Sequence, residues 1–296
     1  MPNQAQTDQM TNAKGFIAAL DQSGGSTPKA LNLYGIDSSS YSTEEEMFDL
    51  IHGMRARIAQ SPAFNGDDVI AAILFDLTMD RKIQGKPSAT YLWEERGIVP
   101  FLKVDKGLEE TTQDVQMMKP ISDLSKTIAR AKDAGIFGTK MRSVIHAANK
   151  DGIAAIVKQQ FDVGAEISAE DLIPILEPEI TISISDKAEA ETILCAEILT
   201  HLNQLPDGQR IMLKLSPPTV DNTYLPLIEH PNVMRVVALS GGYERDEANS
   251  ILSRNKGMIA SFSRALSQGL SADQSDEQFN QVLSNSIKSI AAASAR

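Results

Sequence analysis

Several short runs carry side chains able to do chemistry. The run "IMLKL" (211–215) sets one amine, Lys214, among apolar residues. On a half-exposed strand such a lysine faces water, but in a buried parallel strand an unpaired charge is costly. "TKMRS" (139–143) alternates Lys140 with Arg142, and "LEPE" (176–179) alternates Glu177 with Glu179. On a strand, alternation puts both members of each pair on one face. Burial and neighbouring cations lower a lysine from roughly 10.4 toward roughly 7–8, and the free amine attacks carbonyls to form a Schiff base. Making and losing the carbinolamine requires protons to be given and taken, which is work for carboxylates. Each feature also has a plainer reading: Lys214 as a snorkelling or ion-paired lysine, the glutamates as members of a structural ion-pair network.

Two further runs suit an anion. "LSGG" (239–242) and "SFSR" (261–264) supply Ser240, Gly241, Gly242, Ser261, Ser263 and Arg264. Glycines let backbone N–H groups approach a phosphate, and arginine adds a bidentate charge. The histidines His52, His146, His201 and His230 have no ligand-like spacing and read as solvent-facing rather than as a zinc site. No P-loop and no dinucleotide fingerprint is present.

What must position these residues is a series of eight apolar runs, at 15–21, 69–76, 99–105, 137–143, 172–179, 210–215, 233–242 and 258–264. Amphipathic stretches of helix length separate them, among them 42–59, 121–135, 146–167 and 186–205. The first opens on a capping signal, Ser42 with Glu45 three residues on. Eight strand–helix alternations without a composition break predict an α/β fold, a closed (β/α)₈ TIM barrel occupying residues 1–296 as one domain. Such barrels place the active site at the C-terminal strand ends, and the phosphate pocket after the seventh and eighth strands. Here the strand ends carry Asp21, Asp76, Lys103, Asp105, the alternating pairs, Lys214 and the two Ser-rich runs. Lys140 and Lys214 are expected to approach each other across the mouth, near Arg142. Residues 20–42, polar and rich in Gly and Ser, read as a loop; residues 284–296 read as a last helix that frays.

Composition sets outer limits. The chain has 296 residues, 42% hydrophobic and 23% charged, with 28 Lys and Arg against 39 Asp and Glu for a net charge of -11. No strongly basic patch is visible, so nucleic acid is not an expected partner, while a local cation cluster leaves room for a small anion. The single cysteine, Cys195, cannot form an internal disulfide, and its apolar helical setting reads as inert packing in a reducing compartment. There is no signal-type apolar segment and no run of 18 apolar residues, so a cytoplasmic protein with no membrane contact is expected.

The motifs resemble the class I, Schiff-base fructose-1,6-bisphosphate aldolases, and most closely their short bacterial members. The resemblance runs from "KGFIAALDQSGGSTPKAL" through "FLKVDKG", "GIFGTKMRS", "PILEPEI", "IMLKL" and "VVALSGGYERDEAN" to "ASFSRAL". It implies a metal-independent lyase of glycolysis without a cofactor, acting on a phosphorylated sugar. It implies that Lys214 forms the Schiff base with C2 of the sugar, and that Glu177 is the acid/base of carbinolamine dehydration with Glu179 supporting charge balance. It implies too that Asp21 takes the C4 hydroxyl proton, and that Lys140 and Arg142 hold Asp21 and the substrate hydroxyls. By the same resemblance one phosphate is expected at Ser240, Gly241, Gly242, Ser263 and Arg264, and the other at Ser23, Ser26 and Lys103.

The sequence departs from vertebrate-type members in two places. Gln22 stands where they have glutamate in "DES", and no tyrosine follows Tyr243 where they carry a functional C-terminal one. The group that moves the enamine C3 proton is therefore unnamed, and the oligomeric state is left open. Tagatose bisphosphate, or another dihydroxyacetone phosphate adduct, stays open as the substrate. A non-catalytic sugar-phosphate binder has no need of the amine and two acids. Pyridoxal phosphate on Lys214 is a third reading, which an absorption band near ~400 nm would reveal.

Overall fold

The computed structural model describes residues 3–294. Its principal strands are β1 (Phe16–Leu20), β2 (Val69–Leu74), β3 (Val99–Lys103), β4 (Gly138–Ile145), β5 (Ile173–Ile180), β6 (Ile211–Leu215), β7 (Val233–Ala238) and β8 (Ile259–Phe262). They pair in parallel in the order β3-β2-β1-β8-β7-β6-β5-β4, and a β3–β4 ladder closes the ring. Each overlaps one of the eight apolar runs. The runs are continuous rather than alternating because both faces of every strand are covered, one by helices and the other by the barrel interior.

The interior face explains where the functional residues point. Ile17, Ala19, Phe101, Ile175, Met212 and Ile259 pack together inside the barrel. Two residues further on along the same face come Asp21, Lys103, Glu177, Lys214 and Ser261. The lower barrel is thus an apolar plug, and the next layer up is ionic. A helix absent from the sequence reading, α1 (Gln4–Asn12), covers the opposite end. It has little apolar periodicity and is held by tertiary contacts. Met10 is fully buried among the interior residues, Gln9 Nε2 donates to the carbonyls of Ile70 and Gly97, and Arg235 donates to those of Met10 and Ala13.

Outside the ring lie α2 (Thr27–Leu33), α3 (Glu44–Gln60), α4 (Ser88–Arg96), α5 (Leu124–Asp133), α6 (Lys150–Ala169), α7 (Lys187–Leu202), α8 (Arg245–Leu252) and α9 (Asp276–Ala293). Two expectations change. The segment 20–42 is not all loop: Pro28 sits in the first turn of α2, a position that suits its missing N–H, and Leu31 is buried. The capping box of α3 is one residue later than expected, on Thr43 and Glu46. The last helix is regular to Ala293, and residues 295–296, the end of the stretch read as fraying, lie outside the described residues. Ile287 and Ile290 are buried, and Ser294 Oγ accepts from the Ala260 N–H of β8 at 3.0 Å. Among the described residues, no helix is long and apolar enough to cross a membrane.

One glycine fixes the approach of β4 to its neighbours. A Cβ on Gly138 would lie 2.2 Å from the Ile173 carbonyl oxygen and 2.6 Å from Phe101 Cε1. Gly138→Ala must therefore push β4 away from β5 or repack Phe101. The expected cost is about 1–3 kcal/mol by overpacking, read as a lowered thermal midpoint. An unchanged midpoint would mean the contact is relaxed at no cost.

Candidate active site

The C-terminal mouth of the barrel opens into a cavity of about 580 Å³. On its floor an ionic chain runs across neighbouring strands. Lys214 Nζ of β6 lies 3.0 Å from Glu177 Oε1 of β5. The other oxygen of Glu177 meets Lys140 Nζ of β4, and Lys140 in turn lies 3.0 Å from Asp21 Oδ2, just beyond β1. All four residues are buried, Lys214 at 4% exposure and Glu177 at 3%. The two lysines therefore do not face each other across an open mouth as expected. They share one carboxylate on the strand between them.

The backbone that sets this geometry is itself cross-braced. The β5–β6 ladder pairs Ile175 with Met212 and Leu176 with Leu213. Above it, the Ser216 hydroxyl takes over, accepting from the Ile180 N–H at 3.0 Å and donating to the Ile180 carbonyl at 2.6 Å. Glu177 and Lys214 thus sit between two fixed rungs. Behind β6, the buried Lys187 of α7 pairs with Glu191 and donates to the Pro217 carbonyl at 2.6 Å, while Glu191 accepts from the Thr219 N–H at 2.9 Å. That holds the loop leaving β6 against α7.

Electrostatics follow from the contacts. Burial works against the charge on Asp21, yet the Lys140, Lys214 and Lys103 cations hold its carboxyl well below the usual range. Burial likewise opposes the charge on Glu177, and Lys140 and Lys214 outweigh it, keeping Glu177 ionised to lower pH than a free glutamate. Burial disfavours the charge on Lys140, but Asp21 and Glu177 hold its ammonium well above the ordinary lysine value. The sign for stability is then fixed for the two acids. A depressed folded-state value gives stabilisation that is full above the ordinary carboxylate value of about 4 and is lost as pH falls through the folded values. We expect the urea midpoint of the wild-type chain to fall more steeply below pH ~4 than that of Asp21→Asn, which has one such group fewer. Parallel curves would refute the assignment for Asp21.

The remaining expected residues fall around this floor. Arg142 pairs with Glu179 at the rim and is 37% exposed. Lys103 binds Asp105, with Nζ to Oδ1 at 2.6 Å. Ser23, Ser26, Ser240, Gly241, Ser263 and Arg264 line the same cavity. Gly242 does not line it; it adopts φ +118°, and a Cβ there would stand 3.6 Å from Arg264 Nη2. Asp76 is also elsewhere, paired with Arg130 on the outside of the barrel. The four histidines are half-buried rather than solvent-facing, each with a polar partner: the Lys82 carbonyl for His52, Gln116 for His146, Glu197 for His201 and Asn203 for His230. Cys195 is buried, and burial pushes its thiol up to about 11, in line with inert packing.

Sequence reading missed Lys29, Gly107 and Leu108, which also line the cavity. Lys29 lies on α2, inside the stretch read as loop; the Thr27-Pro28 start followed by Ala30, Leu31 and Leu33 was the signal available. Arg55 of α3 was missed as well. It is 1% exposed and donates to Gln22, the residue after Asp21. Its signal was a charge at an apolar position of the Ile51–Arg55–Ile58 face.

Six cations and four carboxylates line the cavity of a chain whose net charge is -11. A parallel barrel with a positively biased mouth, and a buried lysine held against a carboxylate on its floor, defines a protein suited to amine chemistry on an anionic carbonyl compound. The family model for class-I fructose-bisphosphate aldolase matches residues 3–214. A protein of Synechocystis sp. named fructose-bisphosphate aldolase class 1 is 57% identical, covering 99% of this chain and 98% of its own. Those of Clostridium acetobutylicum and Porphyromonas gingivalis, with the same name, are each 56% identical over 99% of both chains. The chain belongs to the class-I fructose-bisphosphate aldolase family. Among solved structures, fructose-bisphosphate aldolase from Plasmodium falciparum superposes with a TM-score of 0.78 at 20% identity, covering 98% of this chain and 93% of its own, which shows the shared barrel.

Proposed function

We propose that this chain reversibly cleaves fructose 1,6-bisphosphate to dihydroxyacetone phosphate and glyceraldehyde 3-phosphate through a Schiff base on Lys214, a step of glycolysis and gluconeogenesis. The observation that carries the reading is the buried Lys214–Glu177 contact of 3.0 Å, on the floor of a cavity with more cations than carboxylates.

The residues can be put to work in order. Lys214 transfers a proton to Glu177 and its free amine attacks C2 of the open-chain sugar, forming the N–C2 bond as the C2=O π pair moves onto oxygen; a second proton then passes from the attacking nitrogen to that oxygen, giving the neutral carbinolamine. Glu177 returns a proton to the C2 hydroxyl, which leaves as water and gives the iminium. Asp21 removes the C4 hydroxyl proton; the C4 oxygen becomes the aldehyde of glyceraldehyde 3-phosphate as the C3–C4 electron pair moves onto the iminium. The product left on Lys214 is an enamine, so the charge that develops at C3 is taken up by nitrogen and needs no Lewis acid. Protonation at C3 and hydrolysis then release dihydroxyacetone phosphate. Lys140 stays cationic between Asp21 and Glu177, which keeps both acids available as bases. Glu179 and Arg142 neutralise each other at the rim, where the guanidinium keeps donors for substrate hydroxyls.

For the phosphates, Ser240, Gly241, Ser263 and Arg264 form one binding end, with Gly242 letting the chain turn behind them. Ser23, Ser26 and Lys103 form the other. The residues 1–296 work as one unit in this reading, in a cytoplasmic setting that suits a lone, buried cysteine.

Borohydride trapping is the direct test. The protein is incubated with dihydroxyacetone phosphate, reduced and digested, and the modified residue is located by mass spectrometry. A reduced triose-phosphate adduct on Lys214 with parallel inactivation is expected. An adduct elsewhere, or activity that survives trapping, would overturn the assignment.

A further inference from the structure

Arg55 is the most deeply buried cation of the fold outside the ionic floor, at 1% exposure. Among the described residues its hydrogen bonds all go to neutral acceptors: Thr78 Oγ1 at 2.6 Å, the Gln22 carbonyl at 2.5 Å and Gln22 Oε1 at 3.1 Å. Among the described residues its Nε–H has no acceptor. Asp21 supplies a more distant countercharge, one that Lys140 already shares. Gln22 passes the contact onward, its Nε2 donating to Ser263 Oγ at 2.7 Å.

The chemistry of the three groups fixes a direction along this chain. A guanidinium only donates, so the Gln22 oxygen must face Arg55 and its NH₂ must face Ser263. Ser263 Oγ then accepts, and its own hydrogen has to point elsewhere. Among the described residues it meets no protein acceptor, and Ser263 lines the cavity next to Arg264. The hydroxyl is therefore presented as a donor toward whatever anion sits beside Arg264.

We propose that Arg55 and Gln22 form a donor relay that presets Ser263 to donate to the phosphate of a bound sugar phosphate, and that Gln22 is a positioning residue of that pocket. The relay rests on the phosphate pocket proposed above. It also places one further buried positive charge behind the anion. It gives Gln22 a reason to be an amide: one side chain must accept on one side and donate on the other.

The probe is sn-glycerol 3-phosphate, which carries the phosphate but no carbonyl and so reports the pocket without Schiff-base chemistry. It is titrated calorimetrically into the full chain, its Gln22→Met, Ser263→Ala and Arg264→Ala variants, and the Gln22→Met/Ser263→Ala double variant. Ser263→Ala is expected to raise Kd about tenfold, as loss of one charge-assisted hydrogen bond. Gln22→Met is expected to raise it about fivefold, since the hydroxyl survives but is no longer oriented. The double variant should match Ser263→Ala within about twofold, because the relay acts only through that hydroxyl. Gln22→Asn, too short to reach both partners, should repeat the Met result with a polar side chain. In cleavage of fructose 1,6-bisphosphate the loss should appear in KM, with kcat nearly unchanged, a split that a general loosening of the site would not give.

Wild-type affinity in both Gln22 variants, or additive effects in the double variant, would overturn the relay while leaving the pocket standing. If Arg264→Ala also binds like the wild type, or the wild type does not bind the probe, the pocket itself is misplaced and the relay falls with it.

Discussion

Lys214→Met lowers kcat for fructose 1,6-bisphosphate cleavage by about 10⁵-fold, the scale on which loss of a covalent nucleophile acts, and abolishes borohydride-dependent labelling. The fold should survive the change. Methionine keeps most of the straight-chain volume, and Glu177 is left paired with Lys140 rather than stranded as a lone buried charge. Lys214→Arg should be as inactive as the methionine variant although it restores the positive charge. A guanidinium stays protonated and makes no Schiff base. That comparison separates a nucleophile from a cation that merely binds phosphate. Activity in the arginine variant above a hundredth of wild type would show that charge, not amine chemistry, is what position 214 supplies.

Glu177→Gln should lower kcat by about 10³-fold, within the span of general acid–base effects. The affected step is the approach to the iminium, so the rate of borohydride-trappable adduct formation must fall with kcat. The amide is nearly isosteric but carries no charge, and it can accept a proton from neither amine. Two consequences distinguish this from simple disruption. Lys140 and Lys214 lose their shared counter-ion, so both ammonium groups face each other's charge with Asp21 as the carboxylate still paired directly to Lys140. And any activity that remains should no longer report the titration of Glu177 in its acid limb. Trapping at the wild-type rate in Glu177→Gln would assign the acid/base role to another group.

Much of this site could be read from the order of residues along the strands. Lys214 in "IMLKL" was conspicuous because burial on both strand faces leaves a lysine no route to water, so a charge there must be partnered. The same holds for Glu177 and Lys140, each two residues above an interior-facing position. What the strand register could not convey was which charges pair. Lys140 and Lys214 look like mutual neighbours when only strand ends are considered, but β5 lies between β4 and β6, and Glu177 separates the two amines. Gln22, Arg55 and Ser263 are further from reach still, being separated by 33 positions in one link and 241 in the other. Nothing local marks a residue of α3 as the partner of a residue following β1. The helix α1 went unread for a related reason: its apolar content is small, and contacts from distant segments hold it in place.

The sequence by itself determined the eight apolar strands, their alternation with helices, and the polar residues that stand at the strand ends. These follow from local periodicity and from the burial of parallel strands on both faces, and both are visible in one dimension. The tertiary structure alone decided that Glu177 bridges two lysines, that Arg142 answers to Glu179, and that a buried arginine stands behind the Ser263 hydroxyl. Those are pairings between strand ends and helices brought together by closure of the barrel. Closure sets distances of about 3 Å between groups that the chain leaves dozens to hundreds of residues apart.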